Sequence, residues 1–315
     1  METLINVYEQ VVTEKFSIYN GDSCEVIKGI PDNSVGCIMY SPPFSQLYCY
    51  SNSPNDLGNS GNDQEFYQHF GDYLVPELYR VLQPGRLMIV HCMDIPLMKE
   101  RDGVIGMKDF SGELIRLFES HNFIMHSPRI FLRKSPVIEV TRTHAIGLLH
   151  KQLLKDSSMC RVGIPDYLVI MRKPGVNPNP ISHTKDEYPV PQWQQDAECY
   201  WQNDWFTDPI WTDVNFTETL NKEPAREDDD EKHIAPLSLD VIGRALKLWS
   251  APNDIVLSPF MGIGSEGYVA VKMGRKFVGV ELKGSYFQLS VRNLQSAANH
   301  QEQINLFGGD EQCNL

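Results

Sequence analysis

The chain has 315 residues, of which 42% are hydrophobic, so it is long enough to bury a substantial core and has the composition of a globular protein. Its apolar runs are too short to span a bilayer, and its first residues lack the layout of a secretory signal. We therefore expect a cytoplasmic protein with no membrane partner. The seven cysteines form no CxxC pair, which argues against a disulfide framework and against a zinc site of the usual spacing.

The net charge of −13 argues against nucleic acid as a partner, but one segment reverses the sign locally. Between residues 129 and 173, only Glu139, Asp156 and Asp166 oppose a larger set of basic residues. Phosphate contacts need only a local positive surface, so DNA binding is compatible with this charge, as is a solvated helix face with surplus lysines. The basic residues are Arg129, Arg133, Lys134, Arg142, Lys151, Lys155, Arg161, Arg172 and Lys173.

The early part of the chain alternates strand and helix patterns. Strands are predicted at Phe16–Tyr19, Val35–Tyr40 and Leu87–His91. Helices are predicted at Asp22–Ile30, Glu65–Leu82 and Ser111–Ser120. The first helix begins at an acidic cap, and the second stops at the breaker pair Pro84-Gly85. Strands that alternate with helices imply a mostly parallel sheet covered on both faces.

An irregular region then interrupts the pattern. Residues 173–192 are rich in Pro and Asn and are typical of a linker, and an acidic run occupies Arg226–Glu231. We expect the aromatic residues between them to form a small hydrophobic subcore, with base stacking as the alternative. These aromatics are Trp193, Tyr200, Trp201, Trp205, Phe206 and Trp211.

The regular pattern returns near the end, so two sequence blocks supply one α/β sheet. Helices are predicted at Leu237–Trp249, Gly267–Met273 and Ser285–Leu294, and strands at Asp254–Leu257 and Lys276–Glu281. The tail from Gln295 onward is polar, and we expect it to be frayed.

A glycine motif lies at Ser258–Gly267, where SPFMGIGSEG follows an apolar strand and opens a helix. Glycines let the backbone turn tightly and approach a ligand. An acid at the end of the next strand, here Glu281, accepts hydrogen bonds from ribose hydroxyls. The motif predicts a nucleoside-type cofactor and leaves NAD and S-adenosylmethionine open. Glu266 puts negative charge at the helix start, which disfavours a pyrophosphate and favours a cationic sulfonium ligand.

A proline motif, VGCIMYSPPF, occupies Val35–Phe44. Pro42 and Pro43 stiffen the loop at the carboxyl end of a strand, where open α/β sheets bind their ligands. Ser41 and the loop carbonyls can accept hydrogen bonds from an exocyclic amine, and Phe44 can stack on its ring, which holds the nitrogen in line with a methyl donor. As a bare string, SPPF is also compatible with an ordinary turn.

Together the two motifs resemble those of the DNA amino-methyltransferases, which form N4-methylcytosine or N6-methyladenine. SPPF resembles their (D/N/S)PP(Y/F) loop, and SPFMGIGSEG followed by GRKFVGVELKGSYF resembles their DPFxGSGTT…GxExxxxY signature. EKHIAPLSLDVIGRAL and ELYRVLQPGRLMIV resemble neighbouring segments of the same family. The catalytic loop precedes the cofactor loop, which is the permuted order of the β class. The resemblance covers Phe16 to about Arg133 and Glu231 to Leu294.

The resemblance implies a Rossmann-like α/β methyltransferase fold with a permuted, mostly parallel sheet and an irregular target-recognition insert. It also implies S-adenosylmethionine as cofactor and double-stranded DNA as partner. The residues of the amino-group loop would be Ser41, Pro42, acting through its carbonyl, Pro43 and Phe44. The cofactor-binding residues would be Lys232, His233, Ser258, Phe260, Gly262, Gly264 and Glu281. Two positions depart from the family pattern: Ser258 replaces the usual Asp, and Glu266 falls in the usual Thr-Thr pair.

The predicted domains are residues 1–135 as the catalytic half, 136–230 as the insert, 231–295 as the cofactor half, and 296–315 as a polar tail. Since an intact duplex hides its amino groups, the base must be flipped out while the backbone is gripped. Candidates for that grip lie around His144–Leu153 and are Arg133, Lys134, Arg142, Lys151 and Lys155. His91, Cys92 and Asp94 lack spaced partners, so we expect packing there and no metal.

The sequence thus predicts a site-specific DNA methyltransferase of a bacterial or phage-infected cell, monomeric or homodimeric. The resemblance favours cytosine N4 over adenine N6 as the target, because a Ser as first loop residue, here Ser41, is commoner among the N4-cytosine enzymes of this kind. The alternatives are a methyltransferase of RNA or of a protein amide, an NAD-dependent oxidoreductase, and a catalytically weak DNA-binding relic, which the replacement of an acid by Ser258 suggests. Restriction–modification, phage protection and gene regulation remain open as roles.

Overall fold

The computed structural model describes residues 7–43, 60, 62–97, 99–135, 163–180, 184–187, 189–192, 194–195, 208–223 and 236–307. The chain divides into two compact units. The first comprises residues 1–89, 173–178 and 215–315, and the second comprises residues 90–172 and 179–214. Residues 90–135, which the sequence assigned to the catalytic half, therefore lie in the second unit.

The strands are β1 (Val7–Val12), β2 (Phe16–Gly21), β3 (Val35–Tyr40), β4 (Leu82–Cys92), β5 (Ile95–Leu97), β6 (Gly106–Lys108), β7 (Ile124–Met125), β8 (Ile130–Leu132), β9 (Asp166–Arg172), β10 (Ile210–Trp211), β11 (Ile255–Ser258) and β12 (Lys276–Glu281). The helices are α1 (Ser23–Val26), α2 (Asp63–His69), α3 (Val75–Val81), α4 (Lys99–Asp102), α5 (Phe110–Ser120), α6 (Leu239–Trp249), α7 (Ser265–Lys272) and α8 (Gly284–Phe307).

The sheet of the first unit has the strand order β1-β2-β12-β11-β3-β4. β1 runs antiparallel to β2, whereas β2, β12, β11 and β3 are parallel to one another. β11 and β12 come from the end of the chain, yet they lie between two strands from its start. This order confirms the prediction that two distant sequence blocks build one mostly parallel sheet.

The apolar sequence of β3 suits its central position in the sheet. All six of its residues are buried, as expected for VGCIMY, an apolar run without polar alternation. On α7 the close packing is achieved by Gly267, since a Cβ there would come within 2.5 Å of the Phe277 ring on β12. α7 also packs against α6 and α8.

Side-chain caps set the start of several helices. The carboxylate of Asp22 accepts a hydrogen bond from Cys24 N at 2.9 Å, which confirms the acidic cap predicted for α1. Asn62 caps α2 and Asp109 caps α5 in the same way. α7 differs, because it begins after Gly264 without a side-chain cap.

The helix predicted over Glu65–Leu82 is divided by a π-helical turn at Phe70–Leu74. Apolar residues four positions apart advance by about 40° per step around an α-helix. The wider π turn offsets this drift, so that Phe66, Phe70 and Leu78 all remain buried.

α3 ends at Val81, close to the predicted helix end at Leu82, but Pro84-Gly85 lies inside β4, which begins before the predicted start at Leu87. The strand begins at Leu82, directly after α3, and Gly85 donates its N–H to the carbonyl of Lys173 at 2.8 Å. The buried Lys173 ammonium donates to the carbonyls of Tyr79 and Leu82, each at 2.7 Å. It thereby satisfies carbonyl groups that the helix end leaves without partners.

At the other end of the chain, α8 continues to Phe307, so residues 295–307 are helical where a frayed tail was predicted. Leu294 and Ala297 are buried and anchor this extension.

In the second unit, β9 pairs antiparallel with β7 and β8, and β8 pairs parallel with β10. The strands β5 and β6 form a separate antiparallel hairpin. The sequence did not predict β9, because its core LVIM is buried on both faces and lacks the alternation by which a strand is recognised. Within the described part of the chain, no helix is both long and apolar enough to cross a membrane.

Candidate active site

The two sequence motifs follow adjacent parallel strands of the first unit. β3 ends at Tyr40, before Ser41 and the two prolines, and β11 ends at Ser258, before Phe260. The register pairs Leu257 with Ile38, so both loops leave the same edge of the sheet. The rings of Tyr40 and Phe260 lie 5.9 Å apart between centroids. The structure therefore brings together two loops that are more than 200 positions apart in sequence.

Packed aromatic rings lie next to the proline loop. Pro42 and Pro43 are buried and Ser41 is half-buried. The Phe70 ring lies 6.4 Å from the Phe260 ring, so the π-helical turn supports the same cluster. Phe44 lies outside the described residues.

The glycine loop is shaped by two residues in the left-handed region, Gly262 with φ of 53° and Gly264 with φ of 87°. Gly264 N donates to the carbonyl of Met261 at 2.8 Å, and Met261 N donates to the carbonyl of Val280 at 3.0 Å. A Cβ on Gly264 would approach Leu294 Cδ1 to 2.6 Å, whereas a Cβ on Gly262 would meet open space. The open side of the loop is therefore at Gly262.

Glu281 lies beside this open side. One of its carboxylate oxygens accepts a hydrogen bond from Gly262 N at 2.9 Å, and the other accepts one from Lys283 N at 2.8 Å. The strand-end acid predicted from the sequence thus borders the glycine loop.

The end of β2 contributes contacts that sequence reasoning missed. The Asn20 amide donates to the carbonyls of Glu281 and Leu282, at 2.8 and 3.0 Å. The Ser23 hydroxyl donates to the carbonyl of Pro259. The signal was present, because the polar run NGDS follows a strand in the same way as both motifs do.

The two departures from the family pattern are both buried. Ser258 has no exposed surface, and its Oγ has no hydrogen-bond partner among the described residues. Glu266 is 5% exposed, and burial raises the pKa of its carboxyl to about 8. Its hydrogen bond to its own N–H acts in the opposite direction and is the weaker influence.

Of the residues predicted to contact the DNA backbone, Arg133 is exposed, whereas Lys134 forms an ion pair within the protein. Lys134 Nζ lies 2.7 Å from Asp166 Oδ2, with the lysine side chain 12% exposed. His91 Nε2 lies 3.1 Å from the same oxygen. This arrangement makes Lys134 part of a buried charge network. The remaining candidates, Arg142, Lys151 and Lys155, lie outside the described residues.

Of the other residues singled out in the sequence, some are described by the structure and some are not. Trp211 is buried, as expected for a subcore, and its carbonyl accepts a hydrogen bond from Arg133 N at 2.9 Å. Asp94, near His91 and Cys92, accepts hydrogen bonds from Ser111. Among the described residues, no group of three or more His, Cys, Asp or Glu side chains is placed to hold a metal ion. Lys232, His233, Trp193, Tyr200, Trp201, Trp205 and Phe206 lie outside the described residues.

Comparison with known proteins matches the chain to one family. A family model for N6/N4 methyltransferases, described as DNA methylase, matches residues 35–292. The type II methyltransferase M.BglII of Bacillus subtilis is 24% identical over 281 residues, which is 88% of this chain and 68% of that protein.

Solved structures share the fold. That of a DNA modification methylase from Thermus thermophilus, TTHA0409, complexed with S-adenosyl-L-methionine, has a TM-score of 0.63 at 21% identity and covers 91% of this chain and 95% of that one. PvuII DNA methyltransferase, which is cytosine-N4-specific, has a TM-score of 0.59 at 17% identity, with 95% and 96% covered. These likenesses confirm the predicted fold class.

Proposed function

Since the chain belongs to the DNA methylase family, we propose that it transfers a methyl group from S-adenosylmethionine to the exocyclic amino group of a base flipped out of duplex DNA. The observation that carries this proposal is the meeting of the proline and glycine loops at one sheet edge, with Tyr40 and Phe260 in contact. Open α/β sheets bind ligands at that edge.

The residues present fit such a cofactor. Gly262 leaves open space above the loop, the Glu281 carboxylate is placed for ribose hydroxyls, and the buried Ser258 Oγ has no described partner. When bound, S-adenosylmethionine supplies an electrophilic methyl group on a sulfonium. We propose that Phe260 and Gly264 also contact the cofactor. Lys232 and His233 lie in the segment that precedes the glycine motif in the chain, and we propose that they border the cofactor as well.

The proline loop would hold the target nitrogen. Its lone pair is delocalised into the base, so acceptors for its N–H groups favour the pyramidal, nucleophilic form. Ser41 and the carbonyl of Pro42 are the acceptors in this proposal, Pro43 keeps the loop rigid, and Phe44 stacks on the base. A strong base is not needed, because the proton can leave after the methyl group has arrived.

A flipped base also requires a grip on the backbone. Arg133 is the exposed described candidate, together with Arg142, Lys151 and Lys155. Affinity for DNA should fall as salt is added, with a slope set by the number of phosphates that these cations contact.

Cytosine N4 is the proposed target, on the basis of Ser41 as the first loop residue. The cytosine-N4-specific PvuII enzyme shares the fold, and its 17% identity leaves the base to experiment.

The test is methyl transfer from labelled cofactor to duplex DNA, RNA and protein, followed by nucleoside mass spectrometry of the DNA. We expect N4-methylcytosine. N6-methyladenine alone would reverse the choice of base, and label in RNA or protein but not DNA would overturn the substrate.

A Ser41→Ala variant should lose transfer by about 100-fold while retaining cofactor affinity, since it removes an acceptor for the amine and leaves the glycine loop intact. A thermal shift with NAD and none with S-adenosylmethionine would favour the oxidoreductase alternative.

A further inference from the structure

We propose that Glu266 is the anionic partner of the cationic methionine part of the cofactor, and that its carboxyl is neutral in the free protein and releases a proton to solvent when the cofactor binds. This inference rests on the proposed function, since it assigns a role at the same loop. It concerns a residue at which the chain departs from the family pattern.

The position of Glu266 is the first argument. It lies in the first turn of α7, two residues after Gly264, and so directly follows the glycine loop. α7 begins without a side-chain cap, and Glu266 hydrogen bonds to its own N–H. This position directly follows the loop in the chain, and a carboxylate there is favoured by the positive end of the helix.

The second argument is Ser258, at the other end of the same loop. The register of β11 and β12 pairs Ser258 with Gly279 and Val256 with Phe277. Paired positions of neighbouring strands point to the same face, so Ser258 faces the side on which Phe277 contacts Gly267 of α7. A fully buried hydroxyl without a described partner therefore shares a sheet face with the start of the helix that carries Glu266.

The third argument is the lack of a counter-charge among the described residues. α7 packs against α6, α8, β11 and β12. The titratable groups on α7 itself and on these elements, through residue 300, are Tyr268, Lys272, Asp240, Arg244, Lys247, Tyr286, Arg292, His300, Lys276 and Glu281. Arg244 pairs with Asp240 at 2.7 Å, and Glu281 is held by backbone N–H groups. The pKa of Glu266 is raised by burial alone, with no contribution from any of these charges.

A buried acid without a counter-charge is neutral until a cation arrives, because an unpaired charge is expensive to bury. S-adenosylmethionine has two cations in its methionine part, the sulfonium and the ammonium. Either one would replace the missing counter-charge, and Glu266 would then supply the negative charge that Ser258 cannot.

The experiment is calorimetric titration of the full chain with S-adenosylmethionine at pH 7, in buffers of different ionisation enthalpy, which counts the protons released. Wild type should release nearly one proton more per bound cofactor than Glu266→Gln. The ratio of wild-type to variant affinity should also rise between pH 6 and pH 8.5, by at most tenfold per pH unit. Ionisation of the ligand itself cancels in that ratio.

S-adenosylhomocysteine, which lacks the sulfonium charge, separates the two cations. Extra proton release with both ligands assigns the ammonium, and release with S-adenosylmethionine alone assigns the sulfonium. The control is Glu113→Gln, at an exposed position of α5, which should behave as wild type. An affinity ratio that is the same at pH 6 and pH 8.5, with equal proton release, would overturn the inference. Failure of wild type to bind S-adenosylmethionine at all would instead overturn the proposed function.

Discussion

Two buried carboxyl groups show how differently the two units treat an acid. Asp166, at the start of β9 in the second unit, is 2% exposed and has Lys134 Nζ at 2.7 Å and His91 Nε2 at 3.1 Å. Glu266, at the start of α7 in the first unit, is 5% exposed, and no counter-charge among the described residues shifts the pKa of its carboxyl.

The difference has a physical consequence. A buried charge is tolerated when a partner offsets the loss of solvation, and such a pair becomes part of the framework. A buried acid without a partner stays neutral and retains the capacity to respond to a ligand. By this criterion we assign the Asp166 network to the framework of the second unit and propose Glu266 as part of the binding site.

The largest effect is expected when the paired acid, Asp166, is removed. Asp166→Ala should lower the free energy of unfolding by about 3–5 kcal/mol, because it removes the carboxylate that offsets the charge of the largely buried Lys134 ammonium. Urea unfolding measures the change. The double variant Asp166→Leu with Lys134→Met is the control and should lose less. A loss below about 1 kcal/mol for the single variant would show that the pair is not part of the framework.

A smaller effect, opposite in sign, is expected at the unpaired acid. The folded protein raises the pKa of Glu266 from 4.5 to about 8, so it binds a proton that the unfolded chain releases above pH 4.5. This contribution to stability is complete below pH 4.5 and is lost as pH rises to about 8.

Glu266→Gln should therefore match wild type at pH 4.5 and exceed it by about 3 kcal/mol at pH 7 without cofactor. Urea unfolding at the two pH values gives both numbers, and the difference between the proteins removes the contribution of all other groups. Equal stability at pH 7 would mean that the Glu266 carboxyl is not held neutral.

The smallest effects are expected from alanine substitutions in the glycine loop, which links Ser258 to Glu266 in the chain. Gly264→Ala places a Cβ 2.6 Å from Leu294 Cδ1 at a positive φ, whereas Gly262→Ala meets open space. We expect the first to cost about 2 kcal/mol more than the second, which carries only the backbone strain of about 1 kcal/mol. Gly262→Ala should instead weaken cofactor binding, because its methyl group faces the open side. Equal stability losses would contradict the assignment of that side.

The sequence predicted the parts of the fold that depend on local signals. The bounds of β3 and β12 were correct to the residue, and the acidic cap of α1 was correct. It failed at β9 and at the start of β4, which includes Pro84-Gly85, because pairing partners distant in the chain decide the structure there. β9 is stabilised by neighbouring strands, and Gly85 donates to the carbonyl of Lys173.

For the site, the sequence by itself determined which residues form the two loops and which chemistry they suit, because proline rigidity and glycine turns are properties of short segments. Only the tertiary structure decided that the loops meet and that Lys134 pairs with Asp166. It also decided that Glu266 is buried and that no charge among the described residues shifts the pKa of its carboxyl. These outcomes depend on burial and on through-space distance, and neither quantity can be read from positions along a chain.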